Sequence, residues 1–249
     1  MSSSAPNQEI LVLQHAACEP PGVYEDELHR RGIALQRVLL DESSELPDWR
    51  PYTAIVVMGG AMGAYEDSEH PWLAAEKRLI GEAVRAGRPY WGVCLGAQLL
   101  AASLGARVER GPKVELGVLP VTLTAPARQD PVFAGAPSRF STLQWHGDTF
   151  TLPDGAVQLA RSEAYEQQAF VLGRAYALQF HLEVDSELAE QWMQIPAYVA
   201  ELEALAGPEA ATALLAQVRA QEAATVPLAR RLFSRWLELV VGLAPAPAE

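Results

Sequence analysis

RPYWGVCLGAQLLAASLG, residues 88–105, decides the reading of this chain. A short apolar run, Tyr90-Trp91-Gly92-Val93, leads into Cys94. A helical pattern of Leu95, Leu99, Leu100 and Leu104 follows it. Glycines stand two positions either side of the cysteine, at 92 and 96. A free cysteine is most often a small buried hydrophobe, and that reading suits Cys18. Around Cys94 the pattern is instead G-x-C-x-G at a strand-to-helix junction. This is the form of a nucleophile elbow, in which a tight turn lifts the reactive side chain out of the strand. Glycine is expected at both flanks because the turn leaves no room for Cβ atoms. A sulfur at a helix N-terminus also meets the positive end of the helix dipole, which favours negative charge there.

Working outward, the elbow sits in an alternating pattern. ILVLQ (10–14), IALQRVLL (33–40), TAIVVMGG (53–60) and residues 90–93 read as strands. Helices are expected over about 22–31 and 71–86. Such alternation predicts an open, mostly parallel α/β sheet of flavodoxin-like type with helices on both faces. Beyond Gly105 the strands at 114–124, 139–145, 156–162, 168–173 and 175–180 follow one another without long helices. They predict an antiparallel excursion that returns to the sheet. From Asp185 the chain reads as helical and alanine-rich. Leu228, Leu232, Phe233, Trp236, Leu237 and Val240 share one helical face. We divide the chain into a domain over 1–193 and a helical C-terminal extension over 194–249 packed on it. APAPAE (244–249) reads as a frayed tail.

Composition bounds the function classes. The chain has 249 residues, a net charge of −12 and 49% hydrophobic residues. An acidic balance argues against a nucleic-acid surface or an anionic membrane as partner. The two cysteines make no disulfide framework and no C-x-x-C, so no structural metal is expected. MSSSAPNQEI lacks the basic and apolar regions of a signal peptide, and no run has the length of a membrane span. A cytoplasmic location follows as the expectation.

A thiol nucleophile needs a base oriented by an acceptor. Among the five histidines, His29 reads as a solvated helix position and His70 as a loop residue. His15 ends the first strand with no local partner, and His146, in QWHGD, is expected in a loop after a strand. His181 differs. It follows an apolar strand in YALQFHLEV, and Glu183 lies two residues on. Residues i and i+2 of an extended segment face the same way, so Glu183 can fix the tautomer of His181. H-x-E also occurs in zinc deaminases, but the P-C-x-x-C they require is absent. VVMGGAMG (56–63) is not a dinucleotide loop, because it lacks G-x-G-x-x-G and no helix starts at its end. Its glycine pair, Gly59-Gly60, and the N–H of Leu95 are instead candidates for an oxyanion hole.

A strand ending in Gly-Gly, then GVCLGAQ, then QFHLE, in that order, resembles the class I glutamine amidotransferases with a Cys-His-Glu triad. The likeness covers roughly 10–193 and is nearest the stand-alone relatives of the glutaminase domain of GMP synthetase. It implies Cys94 as nucleophile, His181 as base and Glu183 as its orienter. Gly60 and Leu95 would supply the oxyanion N–H groups, and Gln98 would hold the glutamyl group. Trp145, His146 and Asp148 would line the substrate site. Ala97, Leu182 and Met58 depart from residues frequent in the family, and none of the three is a reacting group. The expected activity is hydrolysis of the γ-amide of glutamine or a γ-glutamyl compound, with no cofactor. The alternatives are a glutaminase subunit feeding ammonia to a separate synthetase, or a catalytically silent binding or regulatory protein.

Overall fold

The computed structural model describes residues 8–41 and 45–246. The last three residues of the 244–249 tail lie outside them. Nine strands form one sheet: β1 (Glu9–Gln14), β2 (Ala34–Leu39), β3 (Ala54–Val57), β4 (Tyr90–Val93), β5 (Val108–Leu123), β6 (Arg139–Phe150), β7 (Val157–Arg161), β8 (Ala169–Leu172) and β9 (Ala175–Leu178). Their order is β2-β1-β3-β4-β9-β8-β7-β5-β6. The first five are mutually parallel in the flavodoxin-like order. The remaining four pair antiparallel, so the excursion extends the same sheet and makes it mixed.

The parallel strands carry continuous apolar runs because both of their faces are covered. AIVV in β3 and YWGV in β4 are buried at every position. The outermost strand β2 is instead half exposed and carries Arg37, which suits an edge. Helices α2 (Trp72–Arg85) and α3 (Leu95–Ser103) pack on one face. Helix α1 (Val23–Arg30) and the long α6 (Ala210–Arg235) cover the other. Pro227 lies inside α6, which runs on into a π-helical turn at Trp236–Val241. The apolar face expected at 228–240 is buried there, with Trp236 against Trp91 and Phe233. Two shorter helices, α4 (Ser186–Trp192) and α5 (Pro196–Ala206), lie between β9 and α6.

Two local expectations need correction. His146 and Asp148 are not in a loop: β6 continues through them to Phe150, held by its long antiparallel pairing with β5. That pairing carries a register shift between Arg110 and Glu115. Periodicity ended the strand at Trp145 because Gly147 interrupts the pattern. Cys18, read as a small core residue, is only half-buried, with its sulfur 3.3 Å from the Tyr198 hydroxyl.

Candidate active site

The site lies beyond the carboxyl ends of the parallel strands, where open α/β sheets bind ligands. Cys94 connects β4 to α3 with φ 50° and ψ −107°. Among the described residues it alone has a positive φ without being glycine. Such a conformation costs about 1–3 kcal/mol and survives only where its surroundings impose it. The Cys94 N–H donates to Leu178 O at 2.8 Å, and the Gly96 N–H to Met58 O at 3.1 Å. These bonds fasten the elbow to both flanking strands. The flanking glycines answer a need for space rather than for a positive φ. A Cβ on Gly96 would lie 2.2 Å from Val57 O, and one on Gly92 would lie 2.7 Å from Gly96 O.

His181 follows β9, and its N–H donates to Leu143 O at 2.9 Å. Its Nδ1 is 2.6 Å from Glu183 Oε1. Both side chains are buried, and Trp192 meets the imidazole edge-on at 5.9 Å. Burial alone would lower the His181 pKa. The Glu183 carboxylate and the Cys94 sulfur outweigh it and hold the pKa well above 6.5. Histidine, carboxylate and thiol thus act on one another.

Gly59 lies at the centre of the constellation. A Cβ there would sit 2.6 Å from Glu19 Oε2, 3.3 Å from His181 Cε1 and 3.6 Å from Cys94 Cβ. Only glycine lets the three groups converge. The Gly59 carbonyl is held from behind by His15, whose Nδ1 donates at 2.8 Å. The opposite nitrogen, Nε2, is 3.0 Å from Glu76 Oε1. The Gly59 carbonyl can only accept, so Nδ1 carries a proton. Burial would lower the His15 pKa, but Glu76 and the Gly59 carbonyl raise it above 6.5. Trp72 stacks on the same ring at 5.5 Å. His15 and Glu76 are fully buried and 61 residues apart, so no sequence spacing pairs them. Of the other three histidines, two stand apart from Cys94 and His181. His29 sits on exposed α1 surface beside Glu25, and His70 lies against Trp72.

Most of the remaining expected residues, though not Leu95, line a cavity of about 510 Å³ that also takes in Cys94 and His181. Gly60, Gln98, Trp145, His146 and Asp148 are in its wall. Leu95 is the first residue of α3, where backbone N–H groups have no partner inside the helix. Gln98 donates to Gln179 Oε1 at 3.2 Å, and Gln179 Nε2 is 3.6 Å from Cys94 Sγ. His146 is committed elsewhere: its Nδ1 donates to Asp148 O at 2.9 Å and its Nε2 faces Glu115 Oε2 at 3.3 Å.

Sequence reasoning missed Glu19 and the wall from the C-terminal helices. Trp192, Tyr198, Glu201, Ala204 and Leu205 all line the cavity. Tyr198 donates to Glu19 Oε1 at 2.6 Å, Trp192 Nε1 to Cys18 O at 2.7 Å and Trp145 Nε1 to Glu201 at 3.2 Å. Burial raises the Glu19 carboxyl above its ordinary pKa, against the pull of Tyr198, His181 and His15. Among the described residues no cluster of three or more His, Cys, Asp or Glu could hold a metal ion. No helix there is long and apolar enough to cross a membrane.

A strained cysteine at a helix N-terminus, a histidine held by a carboxylate and a glycine-bounded pocket form a site suited to acyl transfer through a thiol. The family model for class-I glutamine amidotransferases matches residues 24–194, and the chain belongs to that family. The glutamine amidotransferase-like protein YfeJ of Salmonella typhimurium is 34% identical over 186 residues, 72% of this chain and 77% of YfeJ. A solved glutamine amidotransferase of Thermotoga maritima superposes with a TM-score of 0.85 at 34% identity, over 93% of this chain and 99% of that one. GMP synthase of Thermomicrobium roseum is 36% identical over 131 residues, 52% of this chain but only 23% of the synthase.

Proposed function

We propose that the protein is a hydrolase of γ-glutamyl amides that works through a Cys94 thioester without a separate synthetase. The observation that carries this reading is that Cys94 and His181 line one cavity while Glu183 holds the imidazole from behind at 2.6 Å. The Cys94 thiolate attacks the γ-carbonyl, and the oxyanion is stabilised by the N–H groups of Leu95 and Gly60. As the tetrahedral intermediate collapses, the C–N bond breaks with its electrons going to nitrogen. His181, protonated, gives its proton to that nitrogen, and the amine leaves. Water then attacks the thioester and loses a proton to His181. The C–S bond breaks, and the acid and the thiolate–imidazolium pair are formed. Glu183 holds His181 with Nε2 toward the sulfur throughout.

The size of the cavity supports a leaving group larger than ammonia. About 510 Å³ is typical of pockets for whole small-molecule ligands. Ammonia needs only about 30 Å³, the share of a water molecule. The side chains of α4 and α5 supply one wall from within the chain, as an independent hydrolase requires. A second reading, an ammonia-donating subunit of a separate synthetase, draws support from the partial match to GMP synthases. Glutamate release from glutamine and from γ-glutamyl dipeptides, with Cys94→Ala as blank, tests the proposal. Release from dipeptides by the isolated protein is the expected result. Negligible release from every substrate, restored by a cellular protein fraction, would favour the subunit reading.

A further inference from the structure

Glu19 is a carboxylate at the catalytic centre that the triad does not use. It stands on the loop after β1, four residues beyond His15. Its Oε1 is occupied by the Tyr198 hydroxyl at 2.6 Å. Its Oε2 takes no hydrogen bond from the described residues and, with His181 Cε1 and Cys94 Cβ, surrounds the point where a Cβ on Gly59 would lie. The carboxylate is braced from the C-terminal side. Cys18, its neighbour, accepts from Trp192 Nε1 through its carbonyl and meets the Tyr198 hydroxyl through its sulfur. Trp192 in turn lies against His181. The loop, α4 and α5 therefore hold one open acceptor oxygen in the cavity beside the imidazole.

The chemistry at that place names its partner. His181 delivers a proton to the departing nitrogen, so that nitrogen must lie on the imidazole side of the scissile carbon. A γ-glutamyl amide nitrogen carries at least one N–H besides its bond to carbon, and it gains positive character as it is protonated. A carboxylate oxygen accepts such an N–H strongly. An ester leaving group offers oxygen there, with no hydrogen to donate before it is expelled.

Resting on the proposed hydrolase reading, we infer that Glu19 Oε2 accepts the N–H of the leaving amine, orienting it toward His181 and selecting amides over esters. Glu19 is thus the leaving-group subsite, and Tyr198 is the residue that positions it. Hydrolysis proceeds as written above: the C–N bond breaks, nitrogen takes its proton from His181, and Glu19 neither gains nor loses one.

The test compares kcat/KM, which reports acylation, for glutamine and for glutamate γ-methyl ester. Glu19→Leu keeps the bulk and removes the acceptor. It is expected to lower the value for glutamine roughly 10–100-fold, the size of one lost charge-assisted hydrogen bond. The ester value is expected to change less than about threefold on the same scale. Tyr198→Phe, which frees the carboxylate without removing it, is expected to show the same split at smaller size. Glu19→Gln, which can still offer an oxygen, is expected to fall between wild type and Glu19→Leu. Equal losses on both substrates, or no loss on either, would overturn the assignment. Failure of the wild-type protein on both substrates would instead remove the hydrolase reading, and this assignment with it.

Discussion

Glu183 Oε1 lies 2.6 Å from His181 Nδ1, two residues back in the bent segment that follows β9. In the proposed mechanism the carboxylate fixes which ring nitrogen faces Cys94 and does not itself carry a proton. His181→Ala is therefore expected to lower kcat roughly 10²–10⁴-fold, the usual range for a lost acid–base group. Glu183→Gln retains an oxygen that can accept from Nδ1, and its loss is expected to be smaller. Steady-state rates of the two variants decide this, and a reversed order would contradict the roles assigned.

His15 supports the Gly59 carbonyl, next to the N–H of Gly60 that we propose as an oxyanion donor. His15→Gln is expected to reduce kcat about tenfold while leaving KM nearly unchanged, less than the 10²–10³-fold cost of removing an oxyanion donor outright. It also strands a buried carboxylate at Glu76, a change that costs about 3–5 kcal/mol. Pairing it with Glu76→Gln is expected to recover much of that loss in urea unfolding. A double variant no more stable than the single one would show that the ion pair is not what holds the loop.

The elbow, the triad and the parallel half of the sheet were legible because each is written in consecutive residues. GVCLGAQ gives strand, turn and helix in seven positions, and HLE puts His181 and its partner Glu183 two apart. The His15–Glu76 pair was not legible, because 61 residues separate its members and only the packing of α2 beneath β1 joins them. Glu19 was missed for a similar reason. Its partner Tyr198 is 179 residues away, on a helix whose hydrophobic pattern is weak. His146 was placed in a loop because a glycine masks the continuation of β6, which only pairing with β5 reveals.

The pH dependence follows from the raised pKa of His181. In the proposed mechanism its proton expels the amine. The alkaline limb of kcat/KM is therefore expected well above pH 6.5, with the rate falling as pH rises through the folded-state value. His15 and His181 both have folded pKa values above the unfolded one. Their stabilisation is complete below about pH 6.5 and fades as pH rises through the raised values. Urea midpoints measured across the alkaline range are expected to decline accordingly. An alkaline limb at or below 6.5 would contradict the electrostatics.

Trp236 anchors the C-terminal helix to the sheet. It is fully buried against Trp91 and Phe233. Trp236→Ala is expected to destabilise the fold by about 3–5 kcal/mol, read from denaturant unfolding. Glutamate release by the fraction that stays folded should be nearly unchanged, since Trp236 does not line the cavity. A loss below about 1 kcal/mol, outside the range for a buried Trp→Ala change, would contradict the packing described.

The central claim is that Cys94 forms a γ-glutamyl thioester. Acid quenching during turnover, followed by mass analysis of the peptide containing Cys94, tests it most directly. The account predicts a γ-glutamyl adduct on Cys94 in the wild-type protein, increased in amount when deacylation is slowed, and no adduct at Cys18. Turnover by Cys94→Ala at the wild-type rate, or an adduct confined to Cys18, would contradict it.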